Sequence, residues 1–561
     1  VSNNTDLARI DMGRVKRIEI LKGAASALYG SDAIAGVINV ITEHPKDPVN
    51  VQSKTRVGGE SSFSQNANVD LNLGKFTSST SYQRRQMGGW QLSPYELDGD
   101  TAILSKREAS SRFYSNIVNQ HFTYSPTKQL KLYAQGGYFD RKVIRPVEKT
   151  KNDGGYTYDL TYMDYNIGAG GRYQLNETDY LSLDFYVDNY EYNKLYTVAQ
   201  VSKKDTTFRV GDEELTKRQK YYNANLKGVF KLGNYNKISL GTEYTNDYMK
   251  NPGNLEKPEG IYTLAIYAQD EIRLWKNLQI LPGFRYVYNE MFKNSFTPKI
   301  ALMYTLGNFN FRASYAAGFK TPSIQELYYD YENRGAITVG NPDLKPEKAN
   351  YYNINVEYAG KYLNISANGY INDVKDIIEK YDIGATDEEK ANGIKTHNMY
   401  QNLDKASIKG FDISANSYLG AGFSAAGSYN CVYAADDSGH RLSESVRHAA
   451  TFRAGWSHEW NKYTLRANVN GRIQGSKYIY KKTTDKKTGE DIYTDVSAPK
   501  YQLWNFATTH TFAPVGNFLF EINAGIDNLF DWTDDRPSGV NYATLNPGRT
   551  LFASLIIRFT K

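Results

Sequence analysis

Leu181-Ser182-Leu183-Asp184-Phe185-Tyr186-Val187-Asp188 alternates without a break, with Leu181, Leu183, Phe185 and Val187 on one side and polar or amphipathic residues on the other. A period of two with one apolar face describes an extended strand. The C-terminal run Leu551-Phe552-Ala553-Ser554-Leu555-Ile556-Ile557-Arg558-Phe559 repeats the pattern. It sets Leu551, Ala553, Leu555, Ile557 and Phe559 against Ser554 and Arg558. Lys128 to Phe139, Phe309 to Ala317 and Tyr463 to Arg472 read the same way. Strands of soluble sandwiches run to about five or six residues. Many here run to about ten, the length a tilted strand needs to cross a bilayer, with its apolar face toward lipid and its polar face toward a lumen.

Working outward, short turns at Leu232-Gly233-Asn234-Tyr235-Asn236 and Leu306-Gly307-Asn308 alternate with long polar tracts at 88–112, 140–162, 320–350, 376–402 and 476–500. Short turns at one end and long loops at the other are the plan of an outer-membrane barrel. Spreading the residues after position 50 over 22 strands leaves roughly 23 per strand plus connection, although length alone also admits 18 or 24. The competing architecture, a soluble array of blades or sandwiches, calls for a repeat of about 40 to 50 residues that the sequence lacks.

Composition agrees. Apolar residues make up 40% of the 561, mean hydropathy is −0.60, and no run approaches the roughly 18 apolar residues of a spanning helix. The 47 tyrosines suit membrane interfaces and wet interiors, where an apolar ring and a hydroxyl are both satisfied. A lone Cys431 excludes an intramolecular disulfide. A net charge of +6 from 67 basic and 61 acidic residues reads as a mixed, solvated surface, with no reason to expect nucleic acid. The first residues, Val1 to Asp6, carry no apolar signal segment, so the expectation is a chain that begins part-way through a longer protein.

Residues 14 to 42 depart from the strand repeat. Arg17 to Leu21 reads as a short strand, Ala24 to Tyr29 as a small-residue turn and helix, and Gly36 to Thr42 as an apolar strand. The order Arg17-Ile18-Glu19, Gly23, Leu28-Tyr29-Gly30, Gly36-Val37-Ile38-Asn39 closely resembles the end of the plug domain of TonB-dependent outer-membrane receptors. Ala24 stands where that family commonly has Pro, and Ala35 where it has Gly. A phosphate-binding loop is the rival for Gly30 to Gly36, but the spacing is off by one and no Lys-Ser/Thr follows.

Further stretches similar to the family appear in order: Tyr267-Ala268-Gln269-Asp270-Glu271, Pro282-Gly283-Phe284-Arg285-Tyr286, and Tyr315 to Tyr328 with Gly318-Phe319-Lys320-Thr321-Pro322. Gly340-Asn341-Pro342-Asp343-Leu344-Lys345-Pro346-Glu347, Gly525-Ile526-Asp527-Asn528-Leu529-Phe530-Asp531 and the terminal strand follow. Thr560 and Lys561 lie beyond the aromatic that usually ends such chains, and are either native or an addition. The resemblance implies an all-β membrane protein: a 22-stranded antiparallel barrel over 49–561, with the C-terminal part of an α+β plug at 1–48. The front of the plug and the TonB box would precede the chain. It also implies bacterial outer-membrane location and active import energised by TonB with its inner-membrane complex. A surface-exposed lipoprotein is a further conceivable partner. The cargo expected is an iron complex, siderophore or haem, with cobalamin as the alternative. A passive pore or an adhesin is the reading from another class, and the plug-like segment argues against it.

Ligand capture is expected at aromatic loop tracts: Trp90, Tyr95, Tyr156, Tyr158, Tyr162, Tyr328, Tyr329, Tyr331, Tyr381, Tyr478 and Tyr480, with Arg334, Lys477, Lys481 or Lys482 attracting an anion. For any single Tyr, a girdle or packing role is the weightier reading. The plug motif is Arg17, Glu19, Gly23, Tyr29, Gly30, Gly36 and Asn39. Haem favours His or Tyr ligands, yet 319–341 holds no His; His44, His121, His397, His440, His448, His458 and His510 lie elsewhere. Asp153, Asp436-Asp437 and Asp534-Asp535 offer carboxylates for calcium, or are merely solvated, so any metal stays unassigned. The chain shows no nucleophile elbow, zinc-binding H-E-x-x-H or paired-carboxylate motif, so no enzyme activity and no cofactor are expected.

Overall fold

Alternation becomes a wall when each strand pairs with the next, and a barrel when the last pairs with the first. Val49–Gly58 is hydrogen-bonded to Ser62–Asn72 on one side and to the terminal Thr550–Thr560 on the other, with Asn50 opposite Thr560 and Gly58 opposite Phe552. Counting these first and last strands, 22 long strands run antiparallel in sequence order and close the sheet. The computed structural model describes residues 9–23, 26–31, 33–34, 36–42, 46–91, 95–98, 101–104, 108, 110–145, 157–201, 207–333, 335–437, 439–442, 445–484, 491–534 and 546–561.

The two faces of the wall are inverted relative to a soluble protein. Leu181, Leu183, Phe185 and Val187 all point outward and are exposed, as are Ile300, Leu302, Phe411, Ile413, Leu551 and Leu555 around the circumference. Such a continuous apolar band belongs in lipid. Inside, polar groups are buried: Ser79 Oγ donates to Asp70 at 2.7 Å and Gln83 Nε2 to Asn66 at 2.7 Å. At the short-turn end Tyr235, Trp275, Tyr304, Phe309, Trp460, Phe512 and Phe518 stand exposed as an interfacial girdle.

Turns such as 233–235, 307–308, 421–422 and 461–462 join strands at that end, and the connections at the other end are longer apart from the tight turns at 59–61 and 290–292. The tracts read as loops have structure of their own. Strands reach into 140–162 as Leu130–Ile144 and Tyr158–Gln174, and into 376–402 as Leu363–Asp382 and Thr396–Gly420. These last two are 20 and 25 residues long, far beyond the roughly 9 to 11 needed to cross. The expectation of strands of about ten residues therefore falls short, because pairing continues above the membrane where polar residues alternate as well. Hairpins also occupy the tracts near 95 and 480, as Tyr95–Asp98 with Thr101–Leu104 and Lys477–Thr484 with Asp491–Ala498.

The 321–346 connection folds as a roof. Ser323 caps the short helix Ile324–Tyr328 in a reciprocal box with Glu326. The hairpin Asp330–Asn333 with Ala336–Val339 then pairs in parallel with Thr396–Met399. Ile324, Leu327, Tyr329 and Leu344 bury against Met249, Leu255, Ile261, Ile378 and Tyr400.

Within the lumen, Val15–Lys22 pairs with Gly36–Thr42, and the helix Ser26–Tyr29 lies between them in sequence. The expected strand–helix–strand order holds, with the first strand longer than read. Gly23 has φ +82°, and a Cβ there would fall within the Tyr351 ring on the wall. Glycine is needed at Gly23 for both conformation and space.

Candidate functional site

The plug segment meets the wall through ions and hydroxyls. Arg9 Nη2 binds Asp188 at 2.8 Å and also pairs with the buried Asp164. Arg14 pairs with Asp70 at 3.0 Å. Burial alone would lower the Arg9 guanidinium, but the Asp164 and Asp188 carboxylates outweigh it and raise it, so a fixed cation stands at the plug surface. Ser26 Oγ accepts from the Phe319 N–H at 3.3 Å, and Ser31 Oγ lies 3.0 Å from Thr321 Oγ1. Gly30, at φ +82°, brings the plug backbone close to Arg285, which pairs with Glu243.

Above these contacts lies a cavity of about 330 Å³ whose lining includes Arg9, Tyr186, Asp188, Tyr190, Lys220, Tyr221, Asp247 and Tyr248, with Thr321 to Ile324 as its roof. It touches plug, wall and roof at once. The Arg9 guanidinium lies 5.2 Å from the Tyr190 ring centre, and Lys220 Nζ 5.8 Å from that of Tyr248. The rings offer flat faces to a ligand, while Asp188 and Asp247 in the same lining balance the charges of Arg9 and Lys220.

The residues singled out in the sequence are dispersed. Tyr329 is buried in the roof cluster, where its hydroxyl accepts from Asn251 Nδ2 at 2.9 Å. Tyr331 packs edge-on to it, and the Tyr328 hydroxyl points at Met291 Sδ, 3.2 Å away. Trp90 bridges to Ser110, Tyr95 sits exposed on its hairpin, and Tyr381 is exposed at a strand end. Tyr478 lies under Arg441 at 4.2 Å, and Tyr480 follows on the same strand. Tyr158 and Tyr162 stand on the wall leading up from the cavity. Tyr156, Arg334, His44, Asp153 and Asp535 lie outside the described residues.

Of the plug motif, Arg17 Nε binds Glu19 at 2.7 Å and Asn39 Nδ2 reaches Glu19 at 3.3 Å. The Arg17 hydrogen bond holds the Glu19 carboxyl below its usual value. Gly36 opens the second plug strand at φ 151°. Tyr29 closes the plug helix. His397 pairs with Glu389 at 2.9 Å, and the His440 N–H donates to Asp436 at 2.8 Å. Among the described residues no three His, Cys, Asp or Glu side chains converge on a metal-sized site.

Sequence reading did not single out Tyr190, Tyr221, Tyr248, Arg9 or Lys220. The signal was the lumen face of the alternation itself, which places Tyr186 and Asp188 inward wherever Phe185 and Val187 face lipid. Searching only loops passed it by.

Family comparison decides what this plugged barrel is. The model of the TonB-dependent receptor-like β-barrel matches residues 89–529, and that of the TonB-dependent receptor plug domain matches residues 1–37. The chain belongs to the TonB-dependent receptor family. A curated relative, the vitamin B12 transporter BtuB of Photobacterium profundum, is 24% identical over 541 residues, covering 94% of this chain and 78% of its own. Among solved structures, a mutant of the ferric enterobactin receptor PfeA of Pseudomonas aeruginosa superposes with TM-score 0.81 at 17% identity, over 99% of this chain and 86% of that one. The siderophore receptor PirA of Acinetobacter baumannii gives 0.78 at 16%, over 99% and 87%. As a TonB-dependent receptor the protein resides in the bacterial outer membrane and serves TonB-dependent transport. The family consists of transporters and receptors rather than enzymes.

Proposed function

We propose that this receptor imports an iron complex of siderophore type. The observation that carries the reading is the cavity itself: four tyrosines with Arg9 and Lys220, in contact with plug and roof together. A ligand held there touches the element that TonB-driven work must displace, which couples binding to transport. Solved relatives named for ferric enterobactin and siderophores share the fold and add support. The solved relatives named for siderophores put a siderophore ahead of haem; neither 319–341 nor the cavity lining contributes a histidine, while the cavity tyrosines are a ligand type that haem also accepts. We place the division between plug and barrel at 48/49, on the start of the first barrel strand at Val49.

Cobalamin is the second reading, favoured by the sequence relative named as a vitamin B12 transporter. The test is growth of a deletion strain on single ferric siderophores, on haem and on cobalamin, with binding of each to purified receptor. Loss of growth on one or more ferric siderophores, restored by the gene, is the expected result. Unchanged growth on every iron source with failure on cobalamin transfers the assignment to the second reading.

A further inference from the structure

Where the plug is held, the lumen wall is acidic. Arg9 and Arg14 of the plug bind Asp164, Asp188 and Asp70, on strands between Ser62 and Tyr196. The wall from His448 to Phe512 has the reverse sign. Phe452, Trp460, Ile473 and Phe512 stand exposed on its lipid side. Alternation therefore turns the odd positions of His448–Trp460 and Tyr501–Phe512, and the even positions of Tyr463–Gln474, toward the lumen.

Three arginines occupy such positions. Arg472 stands opposite Thr451, Arg453 opposite Asn470 and Arg466 opposite Ser457. Thr451, Arg453 and Ser457 follow one another down a single strand toward the short turn at 461–462. The guanidiniums therefore descend from the long-loop end of the barrel to the short-turn end, over roughly 20 Å of strand. Gly455, opposite Asn468, leaves the step between Arg453 and Arg466 without a bulky side chain. All three arginines are exposed, and Arg453 and Arg472 line a recess of about 500 Å³ with Ser428, Asn470 and Asn505.

The surroundings do not neutralise this row. Arg472 Nη2 donates to Gln474 at 2.7 Å, and among the described residues none of the three guanidiniums meets a carboxylate. Across the next strand Arg472 faces Leu503, and Arg466 faces Thr509. Arg453 and Arg472 are diagonal neighbours, and like charges so placed repel. Descending the lumen positions of His448–Trp460, the first acid is Glu459, just above the short turn. We infer that Arg472, Arg453 and Arg466 form a cationic track along which an anionic iron chelate passes to the periplasmic end once the plug has moved. Successive weak sites of one sign draw an ion in and let it go, and Glu459 repels it at the exit. The inference rests on the import reading above and adds the route that the cargo takes.

The test separates binding from passage in whole cells, with a ferric tris-catecholate, an anionic chelate, as the probe. Arg453→Gln/Arg466→Gln/Arg472→Gln is expected to bind the probe at the surface as the wild type does, and to take it up about tenfold more slowly at saturation. Arg453→Lys/Arg466→Lys/Arg472→Lys keeps the charge and is expected to keep the uptake. Heat-modifiable mobility on gels checks that each barrel is folded. Should the Gln triple fail to assemble, Arg453→Gln alone is expected to slow uptake a few-fold. A second measurement needs no known cargo: purified receptor in planar bilayers, with urea loosening the plug, is expected to pass chloride in preference to potassium, and the Gln triple to lose that preference. Unchanged uptake or unchanged ion preference in the Gln variants, or a Lys triple as slow as the Gln triple, overturns the track and leaves iron import standing. A Gln triple that admits large antibiotics with no chelate present shows that the arginines seat the plug, and overturns the track as well. Uptake of no iron complex by the wild type, with its preference for chloride intact, overturns the import reading instead.

Discussion

The roof and the wall both present tyrosines to the space above the plug, and they use them in opposite ways. In the roof, Tyr329 is 5% exposed, its ring is walled in by Met249, Leu327 and Tyr400, and its hydroxyl is matched by Asn251. On the wall, Tyr186, Tyr221 and Tyr248 are half-buried and open to a cavity. A ring that is fully packed with its polar tip satisfied stabilises a fold. One that keeps an open face beside a cation is available for recognition. Residue type and loop position do not separate the two; what the ring faces does, since Tyr190 on the wall is 7% exposed and yet lines the cavity beside Arg9.

The comparison breaks most sharply at Tyr329. Tyr329→Ala removes a large buried ring and strands Asn251, so the roof is expected to lose about 3 kcal/mol of local stability. Faster proteolysis and amide exchange across 321–346, with the barrel still folded, would show it. Tyr329→Phe keeps the ring and gives up only the hydrogen bond, about 1 kcal/mol. If Tyr329→Ala instead left the roof intact and abolished ligand binding, roof and wall would not differ as argued.

Arg9→Gln comes next. It leaves the Asp164 and Asp188 carboxylates facing each other without their shared cation, and an unmatched pair of this burial destabilises by about 2–3 kcal/mol. The expected outcome is easier release of the plug segment, read as a lower urea midpoint for exposure of a cysteine placed on it, together with weaker binding of an anionic ligand. Tyr248→Leu is smaller still and of the other kind: affinity falls about tenfold with the melting temperature unchanged. A melting shift as large as that of Tyr329→Ala would place Tyr248 with the roof.

Much of this architecture was legible. Leu181 to Asp188 carries its two faces in plain alternation, and the turns at 233–235 and 307–308 announce themselves by Gly and Asn. The extended ends of Leu363–Asp382 and Thr396–Gly420 were not, because pairing above the membrane needs no apolar face and leaves no period to read. The kink near Asp376, at φ 58°, further breaks the pattern. Roof tyrosines and wall tyrosines looked alike because burial of the roof depends on Met249 and Ile261, from two paired strands, and on Ile378, from a strand more than a hundred residues further along the chain. Plug contacts such as Ser26 with Phe319 join positions almost 300 residues apart, |i−j| = 293, and no local pattern encodes them.

The smallest effect sharpens the contrast from a second surface loop. The helix Asp387–Ala391 is capped by Thr386, whose N–H donates to Glu389 at 2.8 Å, while His397 pairs with the same carboxylate. The Thr386 backbone bond, with a contribution from His397, holds Glu389 below its ordinary 4.5. A carboxylate lowered in the folded state favours folding above the unfolded value, and that support disappears as the pH falls through the folded one. Amide exchange at Glu389 and Asn392 is therefore expected to stay protected at pH 6 and to quicken, beyond its intrinsic pH dependence, below about pH 4.5. Glu389→Gln keeps the hydrogen bonds of the box without the titrating charge and should lose the extra pH dependence. The roof has a box of the same design in Ser323 and Glu326, but Glu326 is buried and also bound by Lys320 at 3.2 Å. Its protection is expected to outlast that of Glu389 on acidification, since there the cap is held by packing as well as by charge. Simultaneous loss of both would mean that the roof is no better packed than an open loop.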